Sequence, residues 1–121
     1  MNFNTNQSIY LQIADWVCDQ VLTGKIENSQ RLLSVRELGG KLEVNPNTVL
    51  RSYDYLQSQE IINNKRGVGY FIDENATQKI ISLRKEKFFK EDAPTFFRNM
   101  KLLNISIEDI VEAHNQFDLE E

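Results

Sequence analysis

Residues Ser34 to Asp73, SVRELGGKLEVNPNTVLRSYDYLQSQEIINNKRGVGYFID, decide how the chain is read. Ser34-Val35-Arg36-Glu37 has the form of a capping box. The Ser34 hydroxyl can accept a free N–H three residues on, and the Glu37 carboxylate can accept the N–H of Ser34. Val35, Leu38 and Leu42 then fall on one face of a short helix. A second start follows at Asn45, a good N-cap, with Pro46 at the first helical position, where a missing N–H costs nothing. Val49, Tyr53 and Leu56 recur at helical spacing, with Tyr53 partly in the core, and Asn47, Thr48 and Arg51 fall on other faces. After Glu60 the period changes. Ile61 to Lys65 and Gly69 to Asp73 are strand-like, with Arg66 and Gly67 at the turn between them. Helix, turn, helix, hairpin is the plan of a winged helix-turn-helix, which presents its second helix to a DNA major groove.

Upstream of this unit, Ser8 can cap a helix that runs to about Thr23, with Gly24 as its stop. Ile9, Ile13, Trp16 or Val17, and Val21 form its buried stripe, and Cys18 packs there as a small hydrophobe. Arg31 and Leu32 can add a short strand to the hairpin. Downstream, the chain turns helical again from Asn75, and Pro94 must kink that helix or start a new one. Asn104 and Ile105 make a turn, and Ser106 can cap a last helix whose Glu108 and Asp109 suit the helix dipole. A tail this thin cannot cover its own phenylalanines. The expected cover is the tail of a second copy, meeting it through Ile81, Phe88, Phe89, Phe96, Phe97, Met100, Leu103, Ile107, Ile110 and Val111. A tail folded back over its own winged domain is the alternative. The expected architecture is therefore mainly α with a small β-hairpin: a winged helix-turn-helix in residues 8–73 followed by a C-terminal helical dimerisation region in residues 75–117.

Four blocks of this sequence resemble the DNA-binding domain of GntR-family bacterial transcription regulators. They are Ile9-Tyr10-Leu11-Gln12-Ile13-Ala14, then Arg31-Leu32-Leu33-Ser34-Val35-Arg36-Glu37-Leu38, then Val44-Asn45-Pro46-Asn47-Thr48-Val49, then Arg66-Gly67-Val68-Gly69-Tyr70-Phe71. The short tail resembles the YtrA subfamily, small dimeric repressors often associated with ABC-transporter operons. The chain stops short of the acyl-binding, UTRA-type or aminotransferase-like domains of the other branches. It also departs from the family pattern. Leu33 stands where Pro is common, Gly39 and Gly40 where a helix former is, and Leu50 where many relatives carry a basic residue. Two glycines inside a helix cost about 1 kcal/mol each against Ala. Close packing and local fraying are the two accounts of them.

The resemblance and the residue chemistry together place DNA at Ser34, Arg36, Asn45, Asn47, Thr48, Arg51, Lys65, Arg66, Gly67 and Gly69. Arg36 offers a planar fork to the O6/N7 edge of guanine, a surface salt bridge being its bland alternative. Asn can pair with adenine through two hydrogen bonds, although capping alone can account for Asn45. Arg51, one turn on, would reach phosphate. Gly67 and Gly69 allow a tight turn and close backbone approach to a minor groove, whose negative potential Arg66 can enter.

Composition sets the bounds. Hydrophobic content of 40% and charged content of 26% are ordinary for a globular protein. Cys18 is the one cysteine, which rules out an intrachain disulfide and suits a reducing cytoplasm. The polar start, Met1 to Asn6, lacks the apolar core of a signal peptide, and no apolar run approaches the ~18 residues of a membrane span. A net charge of −4 counts against nucleic acid when taken globally and leaves room for a winged-helix module that binds protein instead. Screening over about 8–10 Å makes the local balance matter more. Residues 1–73 carry seven basic groups against eight acidic ones. No phosphate loop, nucleophile elbow or zinc-protease pattern is present, so the chain reads as a non-enzyme without cofactor or metal. His114, the single histidine, reads as a core or interface residue rather than a ligand. The expected partners are double-stranded DNA and a second copy of the chain. A small-molecule effector, its chemistry open, would bind at the dimer interface or between tail and head.

Overall fold

The computed structural model describes Met1, Phe3 and residues 7–120, with side chains as far as residue 117. Of the polar start, Asn2 and residues 4–6 lie outside the described residues. The element order is α1 (Ile9–Leu22), α2 (Val35–Leu42), α3 (Pro46–Ser58), β1 (Ile62–Lys65), β2 (Gly69–Ile72), α4 (Ala76–Lys87), α5 (Ala93–Leu102) and α6 (Ile107–Glu120), with a π-turn over Phe88–Asp92. The chain is thus mostly helical with one antiparallel hairpin, in winged helix-turn-helix order. It divides into two compact units, Met1–Ser82 and Leu83–Glu121.

The first unit is built on one core. Ile13 and Val17 of α1, Leu38 of α2, and Val49, Tyr53 and Leu56 of α3 are buried together with Ile61, Ile62, Ile72 and Ile80. Each such aliphatic contributes about 1.5–3 kcal/mol when fully buried. Val17, not Trp16, takes the central place on α1, and Trp16 packs at the margin. Ile9, expected in the stripe, is 45% exposed. It is the first helical residue, one turn ahead of where α1 begins to pack. Ser8 precedes α1 and its carbonyl accepts the N–H groups of Leu11 and Gln12, but its hydroxyl makes no capping bond. Gly24 ends the helix at φ +77°, a conformation open to glycine at no steric cost.

Tyr53 is fully buried, deeper than its spacing suggested, because its hydroxyl donates to the Leu33 carbonyl oxygen at 2.7 Å. A phenol can enter a core when such an acceptor waits there. Its ring meets Tyr70 edge to face at 4.8 Å. Burial pushes its phenol well above the ordinary range, so the group remains a donor. The hairpin pairs Ile62 with Ile72 and Lys65 with Gly69. The edge strand expected from Arg31 and Leu32 is present as a bridge from Arg31 to Phe71, with the Leu32 N–H donating to Tyr70. Asp73 opens the way into α4. Its carboxylate accepts the Asn75 N–H at 2.8 Å and pairs with Lys79 at 3.2 Å, and these donors hold its pKa below the usual value.

In the second unit Pro94 falls at the start of a new helix, the second of its two expected outcomes. Proline lacks an N–H and its ring crowds the carbonyl four residues back. The turn Phe88–Asp92 widens to π geometry ahead of α5, and Pro94 sits in the first turn of α5. Asn104 adopts φ +53° after α5, and the Ile105 N–H returns to the Met100 carbonyl at 2.9 Å. Ser106 caps α6 as expected, trading hydrogen bonds of 3.0 Å with Asp109 in both directions. No helix among the described residues is long and apolar enough to cross a membrane.

Candidate nucleic-acid interface

Three short pieces carry the candidate residues: the start of α2, the start of α3 and the hairpin turn. At α2 the capping box is complete. The Glu37 N–H donates to Ser34 Oγ at 3.1 Å, and the Ser34 N–H donates to Glu37 Oε1 at 2.9 Å. That donated N–H holds the Glu37 carboxyl below its ordinary pKa. Ser34 is therefore engaged in starting the helix, and the exposed Arg36 rides on its first turn. Arg36 forms no ion pair among the described residues.

The turn from α2 to α3 is tight. Glu43 takes the left-handed conformation at φ +57°, and the Val44 N–H reaches the Gly39 carbonyl at 2.9 Å. A Cβ on Gly39 would stand 3.0 Å from the Val44 carbonyl oxygen and 3.4 Å from Pro46 Cγ. Close packing thus accounts for Gly39, whereas Gly40 faces open space. Asn45 Oδ1 accepts the Asn47 N–H at 2.8 Å, so this oxygen serves the helix start. Beyond it, the inner side of α3 is sealed by Val49, Ser52, Tyr53 and Leu56, all buried. Asn47, Leu50, Arg51 and Asp54 are exposed on the outer side, and Thr48 is half-buried.

Arg51 does not hang free. Its guanidinium lies 4.2 Å from the ring centroid of Tyr10 on α1, and Tyr10 in turn meets Tyr55 edge to face at 6.5 Å. Stacking of this kind is worth about 0.5–1 kcal/mol at an exposed site and narrows the directions the fork can take. The Ser52 hydroxyl donates to the Tyr10 carbonyl at 2.7 Å, which ties the same residue to α3 by its backbone. Spacing within α3 did not reveal Tyr10, since the pairing is between helices.

In the hairpin, Gly67 has φ +76° and Gly69 φ +141°, and the Val68 N–H closes the turn on the Lys65 carbonyl at 2.8 Å. Arg66 and Gly67 are exposed at the tip. Lys65 lies over the Phe71 ring at 4.3 Å, along the sheet face. A Cβ on Gly69 would come 3.0 Å from Arg31 Nε. The missing side chain there makes room for an arginine of this chain, a use that the sequence reading did not foresee.

The apolar residues named for dimerisation are exposed on the single chain, with Phe89 at 67%, Leu103 at 69% and Ile107 at 72%, while Met100 and Ile110 are half-buried. Phe88 with Phe89 and Phe96 with Phe97 form edge-to-face pairs at 5.3 and 6.1 Å. His114 is exposed on α6 and so is no core residue of the single chain. Among the described residues no group of acidic, histidine and cysteine side chains could hold a metal ion.

No protein-family model matches the chain. It is 34% identical over 115 residues to the HTH-type transcriptional regulator YhcF of Bacillus subtilis, covering 95% of this chain and 93% of that one. It is 38% identical over 73 residues to the HTH-type transcriptional repressor YtrA of Bacillus subtilis, covering 60% of this chain and 56% of the relative. Among solved structures, a transcriptional regulator of the GntR family from Bacteroides thetaiotaomicron superimposes with a TM-score of 0.82 at 50% identity, over 93% of this chain and 98% of the other.

Proposed function

The chain belongs to the GntR family of transcriptional regulators, and from that membership we propose that it is a dimeric, sequence-specific DNA-binding repressor of a palindromic operator. The observation that carries the reading is the front of α3. Its inner face is sealed while Asn47 and Arg51 are exposed, one turn apart, on the face that a helix-turn-helix turns to the groove. Asn47 and Thr48 would meet base edges there, with Asn45 holding the helix start. Arg36, at the head of the neighbouring helix behind Ser34, would take guanine or phosphate. Arg51 would take phosphate from its rest on Tyr10. Arg66, presented at the tip by Gly67 and Gly69, would enter the minor groove, with Lys65 adding charge behind it.

One such head reads one half-site. The exposed phenylalanines of the second unit would join two chains, putting two recognition helices about 34 Å apart, one turn of DNA. Binding over a promoter would exclude polymerase, and the relative named as a repressor supports that sign. Selection of bound duplexes from a random pool tests binding, symmetry and spacing together. Two inverted half-sites centred about 10 base pairs apart are the expected product. A pool that stays random after several rounds rejects the reading.

The net charge of −4 favours a second reading, a winged-helix module that binds protein. Salt separates the two. DNA affinity must fall linearly on a log–log plot as counterions are released, and a protein partner imposes no such slope.

A further inference from the structure

A cleft of about 400 Å³ opens in the side of the first unit, walled by Trp16, Leu38 and Tyr53 and rimmed by Lys25, Arg31 and Lys41. Its size is that of sites for small organic molecules, about 300–1,000 Å³. Its charge is out of keeping with the chain. Three cations line it and no carboxylate does, in a protein of net charge −4. Glu37 acts on Arg31 electrostatically, but it is not part of the lining and its carboxylate accepts the Ser34 N–H.

DNA does not account for Lys41. Lys41 follows Arg36 by five residues on α2, and at ~100° per residue the two point roughly 140° apart. Lys41 instead lies over Trp16, its ammonium 6.0 Å from the ring centroid. An indole face with a cation beside it matches a flat ring that carries a negative charge. Arg31 supplies a planar fork suited to carboxylate or phosphate, and it is held at the base of the wing by its bridge to Phe71.

We propose that this cleft binds a small planar organic anion, an aromatic body bearing one carboxylate or phosphate, with the ring against Trp16 and the charge among Lys25, Arg31 and Lys41. Its place in the fold gives it a use. Leu33 also lines the cleft, and its carbonyl accepts the Tyr53 hydroxyl immediately before the Ser34 cap of α2. A ligand therefore touches the chain leading to Arg36 and the strand bridging to the wing. That regulatory use rests on the DNA reading above; the site itself does not.

The test is calorimetric titration of the full chain, without DNA, with salicylate and with AMP, each beside its neutral counterpart, salicylamide or adenosine. Saturable binding of one anion per chain is expected, with the neutral molecule weaker by at least about tenfold. The anion that binds tells an aromatic acid from a nucleotide. Trp16 is the one tryptophan, so its emission must change on binding. Lys25→Ala combined with Lys41→Ala changes two exposed side chains, and should keep the melting temperature while weakening binding by at least about tenfold. Absence of binding by both anions at millimolar concentration overturns the proposal. So does equal binding of the neutral molecules, an unmoved Trp16 emission, or full affinity in a folded double variant. Anion binding that leaves affinity for the selected duplex unchanged keeps the site and removes its regulatory use.

Discussion

The Tyr53 hydroxyl donates to the Leu33 carbonyl oxygen at 2.7 Å, joining the middle of α3 to the segment that enters α2. Tyr53→Phe keeps the ring and strands that carbonyl. A hydrogen bond of this kind contributes about 0.5–1.5 kcal/mol net. For a unit of this size each kcal/mol corresponds to about 4–8 °C. Thermal denaturation followed by circular dichroism should show a drop in that range, with the helical content of the folded state retained.

Gly39 and Gly40 are neighbours with opposite expectations. Gly40→Ala meets nothing within 4 Å and should stabilise the protein by about 0.5–1 kcal/mol, the propensity gain alone. Gly39→Ala puts a methyl 3.0 Å from the Val44 carbonyl oxygen, and the overpacking, about 1–3 kcal/mol, should outweigh that gain. Urea midpoints moving in opposite directions would bear this out. Equal shifts would remove the close-packing account of the turn.

Arg36 is exposed and forms no ion pair among the described residues, so its loss should leave the fold alone. Arg36→Ala is expected to weaken specific binding by about 1–3 kcal/mol and to relax preference at one base pair. Fluorescence anisotropy on the selected duplex and its single-base variants measures both. Unchanged affinity with unchanged preference takes Arg36 out of the interface.

Leu50 is 39% exposed on the outer side of α3, between Asn47 and Arg51 in the chain. An apolar side chain at that place has one matching feature in the major groove, the thymine methyl. Replacing each thymine of the selected half-site in turn by deoxyuridine should cost the wild-type protein about 0.8 kcal/mol, roughly fourfold, at one position. Leu50→Ala should be indifferent to the same change. A wild-type protein blind to every replacement would rule the contact out.

Phe89 is 67% exposed on the single chain, so Phe89→Lys should cost the chain's own fold little. Sedimentation velocity should find a dimer for the wild type and a monomer for the variant. The variant should also lose its preference for two half-sites over one. A variant that remains dimeric moves the interface elsewhere.

Much of the first unit was legible because its signals are local. A capping box, an Asn-Pro helix start and a glycine turn each act within a few residues, and each is found where the sequence set it. Ser8 stands at the same position before α1, yet its hydroxyl makes no capping bond. The depth of Tyr53 and the stacking of Arg51 on Tyr10 depend on partners 20 and 41 positions away, which no window on one helix contains. The π-turn at Phe88–Asp92 has no residue signature of its own; Pro94 announced a disturbance but not its form.

Tyr10 holds the guanidinium of Arg51 with its ring and the hydroxyl of Ser52 with its backbone. On the proposed reading, the way Arg51 meets DNA is thus partly set by a residue of α1, outside the helix that carries it. On that reading, a single change at position 10 would redirect Arg51 with every residue of α3 left as it was.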